Sequence, residues 1–323
     1  MLLDIVLIIF GIALVLKGAD LLTEGASALA RRMNVSEIII GLTIVAAGTS
    51  APELFVSLVS ALNDTPDLAV GNVVGSNTMN AMLIVGTAAI VAPMTISRST
   101  VKKDIPFAVG ASLLLILIAI DSHLGTADGL ILLLGFAAFM SYTLMQAKQG
   151  NAATAGATDS QQDEKQPTTA SSKRQSPWLS TVLMLGGLAM LIVGSNLFVT
   201  SATNVALALD ISEGIIGLTI VAGGTSLPEL ATSVVAARKG QSAIAIGNVI
   251  GSNVFNILLI LGSTAVISPL QIEGITTIDM AVMLASVAAV WLFSFTKFTV
   301  ERWEGALLVG GYMAYLGWLI SNL

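Results

Sequence analysis

Two glutamates, Glu53 and Glu229, stand inside apolar stretches, each closing a short polar string: GTSAPE at 48–53 and GTSLPE at 224–229. A carboxylate in such surroundings is costly unless something neutralises it, so each acid marks a candidate site. On a continuous helix Thr49 would lie four residues and Ser50 three residues before Glu53, placing all three oxygens on one stripe. Pro52 lacks an N–H and its ring clashes with the Gly48 carbonyl, so the helix is expected to unwind just before the acid. That would free carbonyls around Ala46–Gly48, which survive at membrane depth only where protein or a wet cavity surrounds them. Thr225, Ser226, Pro228 and Glu229 repeat the set. Carboxylate, hydroxyl and carbonyl oxygens are hard ligands, suited to Ca²⁺ or Na⁺ rather than to soft metals.

A second block follows each acid. Asn72, Ser76 and Asn80 recur at four-residue steps, as do Asn248, Ser252 and Asn256. Gly71 and Gly75 are also four apart and would let a neighbouring helix approach closely. If the two copies fold together about a pseudo-twofold, Glu53 and Glu229 face each other. Two adjacent carboxylates in low dielectric cannot both stay ionised without compensation. One Ca²⁺ cancels the pair, and so can Na⁺ ions or protons. Competition for one site is what an antiporter needs.

The elements that must position these residues are membrane helices. Of the 323 residues 55% are hydrophobic and 11% charged, and apolar runs of about 20 residues are long enough to cross a bilayer. Ten spans are expected, at roughly 5–30, 37–62, 68–92, 104–121, 127–147, 178–207, 213–237, 243–268, 275–296 and 303–321. The first carries Asp4, lacks a basic leader and has no clear cleavage site, so it reads as a span rather than a signal peptide. Residues 148–177 are polar and low in complexity and read as a disordered linker between halves 1–147 and 178–323. There is no cysteine, which excludes disulfides and thiolate metal sites. A net charge of −6 without a basic patch argues against nucleic acid, and no obligatory protein partner is evident.

Sliding the sequence by 176 positions aligns 41–86 with 217–262 without a gap, and 26 of those 46 positions are identical. Each half holds five expected spans, and five is odd, so the second copy should be inverted. Loop charges agree. Arg31/Arg32, Arg98/Lys102/Lys103, the linker, Arg238/Lys239 and Lys297/Arg302 are basic; 63–67, 121–128, Asp210 and Glu273/Asp279 are acidic. With positive residues inside, both termini lie outside and the linker is cytoplasmic. The fold class is therefore an all-α membrane protein of two inverted five-helix repeats. Inverted repeats with interrupted helices are the architecture of secondary transporters, whose site lies at the midplane.

The paired blocks GLTIVAAGTSAPEL and GLTIVAGGTSLPEL, with GNVVGSNTMN and GNVIGSNVFN, resemble the two α-repeats of the cation/Ca²⁺ exchanger superfamily, specifically its compact prokaryotic Na⁺/Ca²⁺ exchanger-like members. The resemblance covers nearly the whole chain. It implies that Glu53 and Glu229 bind Ca²⁺. It also implies that Thr49, Ser50, Thr225 and Ser226, the carbonyls of Ala46 and Ala222, and Ser76, Asn80, Ser252 and Asn256 complete the Ca²⁺ and Na⁺ sites. Some members, including K⁺-dependent ones, have aspartate at the position of Asn256, so this chain departs from them and K⁺ co-transport is not expected. A loop of about thirty residues with three acids (Asp159, Asp163, Glu164) also argues against the large Ca²⁺-sensing insert of eukaryotic relatives.

The expected function is Na⁺/Ca²⁺ antiport across a prokaryotic cytoplasmic membrane, with Ca²⁺ and Na⁺ as transported ions and no cofactor. The alternative is Ca²⁺/H⁺, or another cation/H⁺, antiport. A membrane-embedded hydrolase would need different roles for its two carboxylates, and the near-identical surroundings of Glu53 and Glu229 argue against an enzyme. A channel would need no symmetric halves. Lys17, Asp20 and Glu24 share one face of span 1 and their counterparts are Val193, Asn196 and Thr200, so they read as a local ion pair or a cytoplasmic vestibule. His123 reads as a solvated loop residue, and Trp178, Trp303 and Trp318 as interfacial anchors.

Overall fold

A computed structural model describes residues 1–156, 177–209 and 222–321. The expected linker between 157 and 176, the loop at Asp210 and the first part of the seventh span, to 221, lie outside the described residues. The chain is predominantly helical. In chain order the helices are α1 (Leu2–Met33), α2 (Glu37–Thr49), α3 (Ala51–Leu62), α4 (Pro66–Val91), α5 (100–118) and α6 (Thr126–Gly156). They continue as α7 (Pro177–Ala208), α8 (Ala222–Thr225), α9 (Leu227–Arg238), α10 (Ser242–Ile267), α11 (Thr277–Phe293) and α12 (Arg302–Ser321). Among the described residues five helices are long and apolar enough to cross a membrane, or six if the bent pair α2–α3 counts as one span.

Local signals account for many boundaries. Asn34 ends α1 in the left-handed conformation, at φ 51°, which asparagine tolerates better than most residues. Pro66 opens α4, where its missing N–H costs nothing. Thr276 and Asp279 cap α11 reciprocally, each side chain accepting from the other's backbone N–H. One boundary differs from expectation: α6 continues to Gly156, well into the stretch read as linker. Its polar residues 148–156 carry no proline, so nothing local stops the helix.

α10 is almost wholly enclosed and α4 largely so, whereas α1, α6 and α7 turn most of their apolar surface outward, as lipid-facing helices do. α2 and α9 pack on α10, and α3 packs on α4. α1 and α7 form a close pair. A Cβ on Gly11 would stand 2.8 Å from the Gly194 carbonyl oxygen, and one on Gly18 2.7 Å from that of Gly187. Glycine here lets the two backbones touch.

Two miniature antiparallel ladders join the halves. β1 (Met94–Thr95) pairs with β4 (Thr299–Val300), and β2 (His123–Leu124) pairs with β3 (Leu270–Gln271). Positions 94 and 270, and 123 and 299, are each 176 apart, so both ladders obey the sequence repeat. Each ladder joins connections of like charge. The first ties the Arg98/Lys102/Lys103 connection to that of Lys297 and Arg302, with Arg98 5.0 Å above the Phe298 ring. The second ties Asp121 and Asp128 to Glu273, whose N–H donates to Asp67 at 2.9 Å. His123 is thus part of a ladder, not a free loop residue.

Candidate ion-binding site

The first motif breaks the helix, but not as its residue spacing suggested. α2 and α3 meet at Ser50, bent by 45°, and Ser50 leaves helical geometry at φ −82°, ψ 6°. Ser226 does the same between α8 and α9, at φ −89°, ψ 6°. Expectation and structure differ on two points. The Ala46 carbonyl is not freed: it accepts the Ser50 N–H at 2.9 Å and the Thr49 hydroxyl at 3.4 Å. The reason is that Pro52 removes the N–H that would reach Gly48, while the partner of Ala46 comes from Ser50, two residues before the proline. Nor do the hydroxyls of Thr49 and Ser50 bond to Glu53, the acid that follows them.

The hydroxyls reach into the opposite repeat instead. Ser50 Oγ donates to Glu229 Oε1 at 3.3 Å, and Ser226 Oγ donates to Glu53 Oε1 at 3.1 Å. Thr49 Oγ1 donates to Asn248 Oδ1 at 3.0 Å, and Thr225 Oγ1 lies 3.5 Å from Asn72 Oδ1. Each asparagine then braces the acid of its own repeat. Asn72 Nδ2 donates to the Glu53 carbonyl and to Ser57 Oγ, at 3.2 and 3.0 Å. Asn248 Nδ2 makes the equivalent bonds to the Glu229 carbonyl and Ser233 Oγ, at 3.4 and 3.0 Å. Ser76 Oγ meets Ser226 Oγ at 3.1 Å, and Ser252, its counterpart, is fully buried. Of Ala222 only the backbone, at the head of α8, is described.

Both carboxylates are fully buried, and among the described residues no ion pair involves either. Each keeps one oxygen, Oε2, without a hydrogen-bond partner, and so do the side-chain carbonyls of Asn80 and Asn256. Buried polar atoms are almost always partnered, so four orphan oxygens in symmetric pairs call for a ligand. Two carboxylate and two amide oxygens are hard donors carrying two formal charges, a set that a divalent cation such as Ca²⁺ matches in type and neutralises in charge. As cargo such an ion would need further oxygens from hydroxyls or water to reach six ligands or more.

Spacing alone missed two features. Asn77 and Asn253 are buried at the same level and bonded across the repeats, although neither falls on the four-residue stripe. Their identity at alignment positions 176 apart was the available signal. Short π-helical turns at Asn80–Ile84 and Phe255–Leu261 widen α4 and α10 at Asn80 and Asn256, and another at Gly41–Val45 ends just before Ala46 in α2. Such turns often mark functional positions.

A family model described as sodium/calcium exchanger protein matches the chain twice, over residues 3–145 and 179–321. The chain belongs to the sodium/calcium exchanger family. Those two matches also begin 176 residues apart, on the two repeats. Among relatives of this exchanger-family chain, the putative antiporter CaxA of Alkalimonas amylolytica is 37% identical over the full length of both chains. Inner membrane protein YrbG of Escherichia coli is 36% identical, over 99% of this chain and 97% of its own. A solved structure of the sodium-calcium exchanger NCX_Mj, soaked with zero Na⁺ and Ca²⁺, superposes with a TM-score of 0.82 at 32% identity. That superposition covers 98% of this chain and 99% of that one. Family and structural likeness together make the chain an integral membrane protein of the cation/Ca²⁺ antiporter kind.

Proposed function

We propose that the protein exchanges Na⁺ for Ca²⁺ across a prokaryotic cytoplasmic membrane, by alternating access to a single midplane site held between two inverted five-helix repeats. The observation that carries this reading is the crossed pair of buried acids, Glu53 and Glu229, each hydrogen-bonded by the serine of the opposite repeat. The matching environments support a carrier rather than an enzyme, since a hydrolase would need one acid and one base in different settings. In this reading Glu53 and Glu229 bind Ca²⁺, with Asn80, Asn256 and the hydroxyls of Thr49, Ser50, Ser76, Thr225, Ser226 and Ser252 completing the Ca²⁺ and Na⁺ sites. The carbonyl of Ala46, on giving up the Thr49 hydroxyl, and that of Ala222 contribute one lone pair each. Loop charge and the like-charged ladders support termini outside and the polar segment inside.

The charge of the site supplies the coupling. Empty, it carries two negative charges, and moving them uncompensated through a dry barrier is costly; loaded with Ca²⁺ or Na⁺, it is neutralised. The empty carrier therefore switches slowly and exchange outruns leak. With several Na⁺ replacing one Ca²⁺, each cycle moves net charge, biased by roughly 2.3 kcal/mol per charge per 100 mV. The test is Ca²⁺ uptake into proteoliposomes loaded with Na⁺ or, separately, made acidic inside. Uptake driven by the Na⁺ gradient and altered by an imposed potential is expected. Uptake driven only by the proton gradient would replace Na⁺ by H⁺ as the coupling ion. No uptake under either gradient would end the Ca²⁺ antiport reading.

A further inference from the structure

Four asparagines meet between α4 and α10, and only two of them offer an oxygen to the proposed ion. Asn77 Nδ2 donates to the backbone carbonyl of Asn253 at 3.2 Å. A backbone carbonyl can only accept, so this contact fixes which end of the Asn77 amide is nitrogen. The Asn77 Oδ1 must then be the atom that receives Asn256 Nδ2, at 3.0 Å. With its nitrogen committed, Asn256 has its oxygen facing elsewhere, and that oxygen is one of the four orphans. Across the pseudo-twofold, Asn80 Nδ2 donates to Asn253 Oδ1 at 3.1 Å, leaving the Asn80 oxygen orphaned in the same way. Asn253 Nδ2 has no hydrogen-bond partner, so the second anchor lacks the backbone contact that secures the first. All four residues are 0–1% exposed.

We infer that Asn77 and Asn253 are positioning residues that hold the side-chain carbonyls of Asn256 and Asn80 toward the transported cation. The inference rests on the proposed site and adds residues that touch no ion themselves. Its chemistry is that of an amide with two unlike ends. The oxygen binds a cation and the NH₂ group repels it, so an amide free to turn over loses affinity at half its orientations or more. Anchoring the nitrogen makes each asparagine a fixed neutral ligand and keeps the formal charge of the site at the two carboxylates.

The test is a double-mutant cycle on the full-length protein in proteoliposomes, reading the half-saturating Ca²⁺ concentration. Asn256→Ala and Asn77→Ala should each raise it about tenfold, the loss of roughly one charge-assisted ligand contact. The variant carrying both should be no worse than Asn256→Ala alone, because Asn77 acts only through Asn256. A merely structural Asn77 would instead multiply the two losses, and that result, or an unchanged half-saturation in Asn77→Ala, overturns the inference. Should Asn77→Ala fail to reach the membrane, the cycle of Asn253→Ala with Asn80→Ala carries the same test. Absence of Ca²⁺ transport by the unmutated protein would count against the proposed function itself. Robust transport with multiplicative losses would count against the positioning role alone.

Discussion

The site and the helix pair beside it treat the sequence repeat in opposite ways. Around Glu53 and Glu229 the two copies are near duplicates: the same serine, threonine and asparagine contacts recur with distances within half an ångström. In α1 and α7 the glycine spacing is shared but the charges are not. Asp20 of α1 binds Lys17 at 3.1 Å and Lys239, just beyond α9, at 2.5 Å. Lys239 Nζ also donates to the Asp20 carbonyl and to Thr23, at 2.8 and 3.0 Å. The counterparts in α7 and its neighbourhood are Val193, Asn196, Val199 and Asn63, which carry no charge. In the proposed exchange the site is approached alternately from two sides and must offer the same ligands to both. The helices around it meet two different solutions and, in the proposed orientation, the ion pair of Asp20 with Lys239 on the cytoplasmic side has no charged counterpart at the repeat-related positions.

The sharpest way to break this comparison is at the acids. Glu53→Gln and Glu229→Gln should each abolish Ca²⁺ uptake, a loss of about 3–5 kcal/mol or at least a hundredfold, since one remaining charge no longer balances a divalent ion. The loss should be equal in the two variants. Robust flux through one of them would show that the duplicated contacts hide unequal roles. Next comes the glycine pairing that the repeats share. A Cβ on Gly187 would meet Leu22 N at 2.5 Å, whereas one on Gly186 meets nothing within 4 Å. Gly187→Ala should cost about 1–3 kcal/mol by overpacking, seen as a lowered melting temperature in detergent, and Gly186→Ala nothing comparable. The smallest effect is expected where the repeats differ. Lys239→Ala removes a partly exposed ion pair worth at most about 1 kcal/mol, and Asn63→Ala should change stability by less than about 0.5 kcal/mol. Equal effects of the two would erase the distinction between the sides.

Much of this was legible from residues alone. The 176-residue offset, the acids and the helix break at a Ser-x-Pro-Glu string follow from composition and proline chemistry, and α1, α4, α7, α10 and α12 begin and end close to the expected bounds. What was not legible depends on where a bend falls. A one-dimensional stripe assumes an unbroken helix and puts Thr49 and Ser50 beside their own glutamate; in the structure Ser50 donates to Glu229, and Thr49 to Asn248, which braces Glu229. The π-helical turns leave no trace in an apolar run, because widening a turn by one residue changes no residue type. Nor does spacing show that Asn77, one residue off the asparagine stripe, belongs to the network, because only the folded repeats bring it to Asn253.

The two short ladders bear on how the molecule is assembled. Each strand's partner belongs to the other half, and so does each carboxylate's serine. Neither half completes these ladders or its own share of the site alone, and together they close both. The two halves are therefore matched to each other through these contacts, whether or not the chain is continuous between residues 156 and 177. A chain severed there would behave as a heterodimer whose two members recognise each other by their unfinished edges.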